Sequence, residues 1–305
     1  MLERRPMKPA PFDYVAARST GDVVAALADG DTHVLAGGQS LVLEMNYRTR
    51  RPARLVDINR VPGFDRLEVL DGALRVGPLV RHRAFAAGAG AAAALRPGTG
   101  ERAAAVGALG DLLGRVARHI AHPPIRARGT MLGSLAYAHP AAEWPAVAVA
   151  LDARLELVAA AGSRSVAAAD FFTGPFATVR RPGELLHAVH LPLLPPGTSV
   201  GFAEHRRTHA SFAQLAALVA VTLAGGRVTA ARIGLVNAAE RPVRATGAEA
   251  ALRDRPLDDA AIAGAAAAAR DDADPRPQPY ADAGYLRHAA AVLVRRALLQ
   301  ARDGG

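Results

Sequence analysis

Apolar positions along the 305-residue chain switch between helical and strand spacing, and the switches outline its elements. Ser19-Thr20-Gly21-Asp22 precedes Val23-Val24-Ala25-Ala26-Leu27-Ala28, an N-cap signal ahead of a short apolar helix ending near Gly30. Thr32-His33-Val34-Leu35-Ala36 predicts a strand, Leu41 to Asn46 the start of a helix, and Leu55-Val56-Asp57-Ile58 a second strand. This is β-turn-α-β order, with Ala36-Gly37-Gly38-Gln39-Ser40 at the strand's carboxyl end, where phosphate sites on such units tend to lie.

From Leu67 the pattern becomes a hairpin, Leu67–Leu70 and Ala73–Gly77 joined by Asp71-Gly72. Helical stretches are predicted over 84–95 and about 103–121, the latter with Val106, Leu109, Leu113, Val116 and Ile120 at helical spacing. His122-Pro123-Pro124 ends that helix. Ile125 to Gly129 then leads into a second glycine-containing turn, Thr130-Met131-Leu132-Gly133-Ser134. Strand spacing resumes at Arg154–Val158, and Pro182-Gly183 reads as a linker. After the proline-rich Pro192–Thr198, Gln214–Leu223, Arg227–Val236 and alanine-rich helical stretches over 245–253 and 258–270 make a smaller C-terminal unit, with a last helix over Tyr285–Ala301.

Glycine allows close backbone approach, and successive free N–H groups in such turns form concavities for anions. Two of them, far apart in sequence, suit the two phosphates of a dinucleotide. Each also has a plainer role: a tight turn for the first, close packing for the second. Glu143, just ahead of Trp144-Pro145, equally suits the first turn of a helix.

Half the residues are apolar, which fits a globular chain with room for two domains. The net charge of +9 brings nucleic acid to mind, but Lys8 is the only lysine and the arginines are scattered with few aromatics between them. A GC-rich coding bias toward Arg, Ala, Gly and Pro explains the excess, and nucleic-acid binding is not expected. No cysteine is present, so the chain holds no disulfide and no iron–sulfur cluster of its own. No apolar run suits a membrane span, and the start lacks a signal peptide's apolar core, so a cytoplasmic protein, not integral to a membrane, is expected. His119/His122 and His205/His209 have a spacing that can serve a metal, but no carboxylate motif accompanies them; surface histidine is the expectation, with no metal site.

Taken in order, Lys8–Tyr14, Leu35–Leu41, Arg51-Pro52, Leu55–Ile58, Ile125–Thr130, Gly133–Ala136, Pro140–Glu143, Phe171–Phe176 and Pro182–Leu186 resemble the FAD-binding (medium) subunit of molybdenum hydroxylases, the carbon monoxide dehydrogenase and xanthine dehydrogenase type. The resemblance runs from about Lys8 to Ala301. It implies an α+β chain: a two-lobed FAD-binding domain of the vanillyl-alcohol-oxidase-like (PCMH-type) fold over 7–181, with lobes of about 7–60 and 61–181, and a smaller α+β C-terminal domain over 184–302. It implies non-covalent FAD held by Ala36, Gly37, Gly38, Gln39, Ser40 and Leu41, by Thr130, Gly133 and Ser134, and by His139 and Glu143, with Leu186 against the flavin ring. No catalytic residue of the chain is implied, because the flavin carries the redox chemistry.

The implied complex places 2Fe-2S clusters in a small partner chain and molybdopterin in a large one, as a dimer of heterotrimers, with electrons leaving through FAD to an external acceptor. The sequence departs from the family pattern at Leu132, Ala127, His139 and Ser211. Leucine at position 132 would be strained at positive φ or would crowd a cofactor. A flavin-free scaffold subunit and a free-standing FAD oxidoreductase therefore stand as alternatives.

Overall fold

The computed structural model describes residues 8–86 and 100–304 of the chain. The first lobe is a three-stranded parallel sheet in the order β1 (Asp13–Ala16), β3 (Arg54–Asp57), β2 (Thr32–Leu35). Helix α1 (Thr20–Ala28) links β1 to β2, and α2 (Leu41–Asn46) links β2 to β3. The expected cap at Ser19 is present as a full capping box with Asp22. Val23, Ala26, Leu27, Val56 and Ile58 close the lobe's core.

The second lobe is a five-stranded sheet in the order β4 (Leu67–Leu70), β5 (Ala73–Val76), β10 (Leu185–Pro192), β6 (Arg154–Ala159), β7 (Gly162–Ala167). Between β5 and β6 run α3 (Arg83–Ala86), α4 (Gly100–His119), α5 (Pro123–Arg128), α6 (Met131–Tyr137) and α7 (Glu143–Ala150). The predicted helix over 84–95 lies mostly outside the described residues. Helix α4 breaks at Gly107, where φ is 37°. After β7 come α8 (Ala168–Phe171) and the small pair β8 (Phe172–Gly174) and β9 (Ala177–Thr178).

One expectation is corrected here. The domain boundary at 181–184 falls inside the second lobe, because β10 follows it and pairs with both β5 and β6 in the centre of that sheet. The break comes instead in the Pro192–Thr198 connection. The proline pair after His122 does end α4, but it also starts α5, with prolines in the first turn, where their missing N–H groups cost nothing.

The C-terminal domain is a four-stranded antiparallel sheet in the order β11 (Thr198–His205), β12 (Leu215–Ala224), β13 (Arg227–Val236), β14 (Val243–Arg244). Helices α9 (Thr246–Leu252), α10 (Asp259–Asp272) and α11 (Ala283–Asp303) cover one face of it. Strand alternation assigns the two faces. Ala203, Leu215, Ala217, Val219 and Val221 pack on these helices. Val200, Phe202, Ala216, Leu218 and Ala220 belong to the core of the second lobe, with Leu109, Leu112, Leu113 and Val116 of α4.

Candidate functional site

The loop after β2 and the junction between α5 and α6 are brought into direct contact. A Cβ placed on Gly37 would lie 2.3 Å from the Arg128 carbonyl oxygen and 2.8 Å from Gly129 Cα, so glycine is required there for one loop to lie against the other. Gly38 has φ +74°, the left-handed conformation that turns the chain from β2 into α2. The backbone N–H groups of Gly37, Gly38, Gln39 and Ser40 donate to no acceptor among the described residues. Ser40 occupies the N-cap position of α2, but its hydroxyl makes no cap bond. The result is a row of free donors with a hydroxyl at its end, chemistry that suits a phosphate. Ala36 and Leu41 flank this row.

The second segment departs from the expected form. Thr130-Met131-Leu132-Gly133-Ser134 is not a glycine turn but the N-terminus of α6. Thr130 is its N-cap, and its Oγ1 accepts from Gly133 N at 3.0 Å. That bond commits the Gly133 amide, while the Thr130 hydroxyl keeps its own proton to donate. Leu132 is helical, 3 % exposed and part of the second-lobe core, so neither positive φ nor crowding of a groove applies to it. Gly133 is exposed and Ser134 half-buried on the same helix.

A set of polar residues not foreseen from the sequence braces the two loops. Asn59 Nδ2 donates to the Ala36 carbonyl at 2.9 Å and to Asp57 Oδ1 at 2.6 Å. Arg81 Nη2 donates to Asn59 Oδ1 at 2.6 Å, and Arg81 Nη1 donates to the Arg128 carbonyl. The Tyr14 hydroxyl completes the chain on Asp57 Oδ2 at 2.6 Å. Burial pulls the Asp57 carboxyl up, but the Tyr14 and Asn59 hydrogen bonds outweigh it and hold the group below its ordinary range. Behind Gly129 lies His82, whose Nε2 would be 2.7 Å from a Cβ there. His82 Nδ1 accepts from Trp144 Nε1 at 2.9 Å, and burial pushes its pKa down to about 4, with Arg126 and Arg81 adding to the shift.

With this geometry in view, the comparisons with known proteins are decisive. Residues 10–194 match the family described as the FAD binding domain in molybdopterin dehydrogenase, and residues 201–301 match the CO dehydrogenase flavoprotein C-terminal domain. The chain is an FAD-binding medium subunit of the molybdenum hydroxylase family. It is 37% identical to the 6-hydroxypseudooxynicotine dehydrogenase complex subunit alpha of Paenarthrobacter nicotinovorans, over 97% of this chain and 96% of that one. It is 32% identical to the carbon monoxide dehydrogenase medium chain of Afipia carboxidovorans, over 97% and 98% of the two chains. Among solved structures, reconstituted CO dehydrogenase from Oligotropha carboxidovorans aligns at TM-score 0.88 and 31% identity, covering 98% of this chain and all of that one. Quinoline 2-oxidoreductase from Pseudomonas putida 86 aligns at TM-score 0.86 and 33% identity, over 98% and 99%. The medium subunit is thus the flavoprotein component of a multi-subunit oxidoreductase. Among the described residues, no helix is long and apolar enough to cross a membrane.

The remaining expected site residues of the medium subunit lie beyond α6. His139 sits in an aromatic group, its ring stacked on Phe212 at 4.1 Å and 3° and set edge-on to Phe176 at 5.0 Å. Burial lowers its pKa. Tyr137 joins the group and donates its hydroxyl to Glu44 Oε1 at 3.1 Å. Glu143 opens α7 and is 5 % exposed. Leu186 is 4 % exposed within β10, in the core of the second lobe. The fold therefore seats Gly37 on Arg128 and Gly129, places His139 and Glu143 past the far end of α6, and sets Leu186 in the sheet.

Proposed function

We propose that the chain binds FAD non-covalently and passes electrons from the 2Fe-2S clusters of a small partner chain to an external acceptor. The clusters are fed by a molybdopterin-bearing large chain, in a dimer of heterotrimers within the cytoplasm. Its relatives' names, a dehydrogenase complex subunit and a medium chain, support such partners. The absence of cysteine is consistent with clusters held elsewhere.

The observation that carries this reading is the seating of Gly37 on Arg128 and Gly129, which makes one cradle of two distant loops. The uncommitted amides of Gly37 to Ser40, with the Ser40 and Thr130 hydroxyls, fit a pyrophosphate. Ala36, Gln39 and Leu41 shape that loop, and Gly133 and Ser134 supply the facing helix turn. His139, Glu143 and Leu186 would line the groove toward the ring. When bound, the flavin supplies the electron storage, and the protein's part is to hold, orient and shield it. Because Leu132 points into the core, the main ground for a flavin-free scaffold subunit is removed.

The test is the visible spectrum of the purified chain before and after incubation with FAD. One FAD per chain is expected. A chain that folds but takes up no FAD would sink the proposal. Expression beside its neighbouring genes should recover a cluster chain and a molybdopterin chain together with it, whereas a substrate-reducing monomer would rule the partnership out.

A further inference from the structure

The two loops of the proposed cradle come from different lobes, and one side chain ties them together. Arg81 lies just ahead of α3, with its backbone already fixed on the second loop. It forms a β-bridge with Thr130, flanked by the Met131 N–H donating to the Val80 carbonyl at 3.2 Å and the His82 N–H donating to the Gly129 carbonyl at 3.0 Å. From that base Arg81 Nη1 donates to the Arg128 carbonyl, the same oxygen against which Gly37 is seated. Its Nη2 reaches across to the first lobe and donates to Asn59 Oδ1 at 2.6 Å, while Asn59 Nδ2 donates to the Ala36 carbonyl at 2.9 Å.

Asn59 is held in turn. Asp57 Oδ1 accepts from its backbone N–H at 2.8 Å and from its Nδ2 at 2.6 Å, and the Tyr14 hydroxyl takes the other carboxylate oxygen. With its amide nitrogen spent on Ala36 and Asp57, Asn59 has its oxygen left for Arg81. A relay of hydrogen bonds therefore runs from the second lobe to the residue before Gly37.

This strap carries a charge that no direct partner balances. Both acceptors of the guanidinium are neutral, a side-chain amide and a backbone carbonyl, and no carboxylate among the described residues bonds to it. Arg81 is half-buried, and burial, then the charges of Arg128 and Arg83, disfavour its charged form, with Asp57 favouring it. A guanidinium does not give up its proton, so an anion is the remedy. The loops themselves offer only uncharged donors, the amides of Gly37 to Ser40 and the hydroxyls of Ser40 and Thr130. A pyrophosphate needs donors for its oxygens and a cation for its charge. These are separate needs, and Arg81 meets the second.

We propose that Arg81 is a positioning residue for the pyrophosphate: through Asn59 it holds the Ala36–Ser40 loop against Arg128 before FAD arrives, and its unmatched charge is balanced when the pyrophosphate binds. The role toward FAD rests on the reading that these loops hold the cofactor, whereas the strap rests on the hydrogen bonds alone.

The two parts are tested separately on the full chain. Asn59→Ala cuts the strap and keeps the charge, Arg81→Gln removes the charge and keeps a donor, and Arg81→Lys keeps the charge. The chain has no cysteine, so Tyr47→Cys on the first lobe and His122→Cys on the second, both exposed, take spin labels at those positions alone. Without FAD, electron–electron resonance should give one narrow label-to-label distance, broadened in Asn59→Ala. A distribution that ignores Asn59→Ala overturns the strap. Asn59→Ser replaces that variant if it does not fold.

A cradle assembled for only a fraction of the time binds in proportion to that fraction. Asn59→Ala should therefore slow FAD association about tenfold and leave dissociation within about twofold of wild type. A loss carried by faster dissociation alone, as a merely weakened fold would give, overturns the assembly before binding. Added NaCl should weaken FAD binding in wild type, Asn59→Ala and Arg81→Lys, and do so less steeply in Arg81→Gln. Arg81→Met serves if the amide does not fold. Wild-type salt dependence without the guanidinium overturns the role given to its charge. Labels that behave as expected in a chain that takes up no FAD overturn the functional reading, and the role toward the pyrophosphate falls with it.

Discussion

Gly37 and Gly38 are adjacent, yet the structure needs them for different reasons. Gly38 supplies a positive φ, and Gly37 supplies contact with a second loop. Gly38→Ala should cost about 1 kcal/mol of backbone strain and leave the loops in place. Gly37→Ala should cost about 1–3 kcal/mol of overpacking, because its neighbour is backbone and cannot swing aside. FAD affinity should fall with it as the loops part. Urea unfolding and FAD titration on both variants check this; equal effects would mean that the loop contact does not matter. His82 gives a second residue-scale prediction. Its folded pKa, about 4, lies below the ordinary 6.5, so its stabilising contribution is complete above pH 6.5 and is lost as pH falls toward 4. Glu143 has the opposite sign over part of this window, since a raised carboxyl favours the folded state less as pH rises. The two are separated by difference: His82→Gln keeps an acceptor for Trp144 but cannot ionise. The stability gap between wild type and His82→Gln should therefore narrow from pH 7 to pH 5. A constant gap would contradict a neutral His82 in the fold.

At the scale of elements, α6 is where sequence and structure part most usefully. Thr130 as N-cap followed by Met131, Leu132 and Leu135 is a helix pattern, but Gly133 at the third helical position drew the reading toward a turn. Leu132→Gly should therefore empty a core site and weaken the helix, at about 2–5 kcal/mol for the lost side chain and about 1 kcal/mol more for glycine. Thermal unfolding with and without FAD checks this; unchanged stability would put Leu132 back in the groove. The β2–turn–α2 unit and the Asp71-Gly72 hairpin were legible because each is built from neighbours in sequence. Strand β10 was not. Its partners β5 and β6 lie far back in the chain, and Pro182-Gly183 looks the same whether it leaves a domain or turns within one. Asn59 and Arg81 were hidden for the same reason: single polar residues acquire their meaning only when two distant loops are superposed.

At the scale of the whole molecule, the two domains are joined through one continuous core. Phe202, Val200 and Leu218 of the C-terminal sheet pack with Leu109, Leu112 and Val116 of α4, although the loops proposed to hold FAD, at 36–41 and 129–134, lie in the first domain. Burying one domain's sheet face on the other's helix makes their unfolding a shared event. A ligand held by the first domain should then stabilise the second to the same extent. At about 100 times its dissociation constant, FAD adds about 2.7 kcal/mol to whatever unfolds with its site. Hydrogen exchange in β12 and β13, remote from both loops, should slow by the matching factor of about 100 when FAD is added. Phe202→Ala tests the route. It should cost about 3–5 kcal/mol and split the thermal transition in two, after which FAD should protect the first domain while β12 and β13 exchange at one rate with or without it. If those strands gain no protection even in the wild type, the shared core is a contact between independent domains.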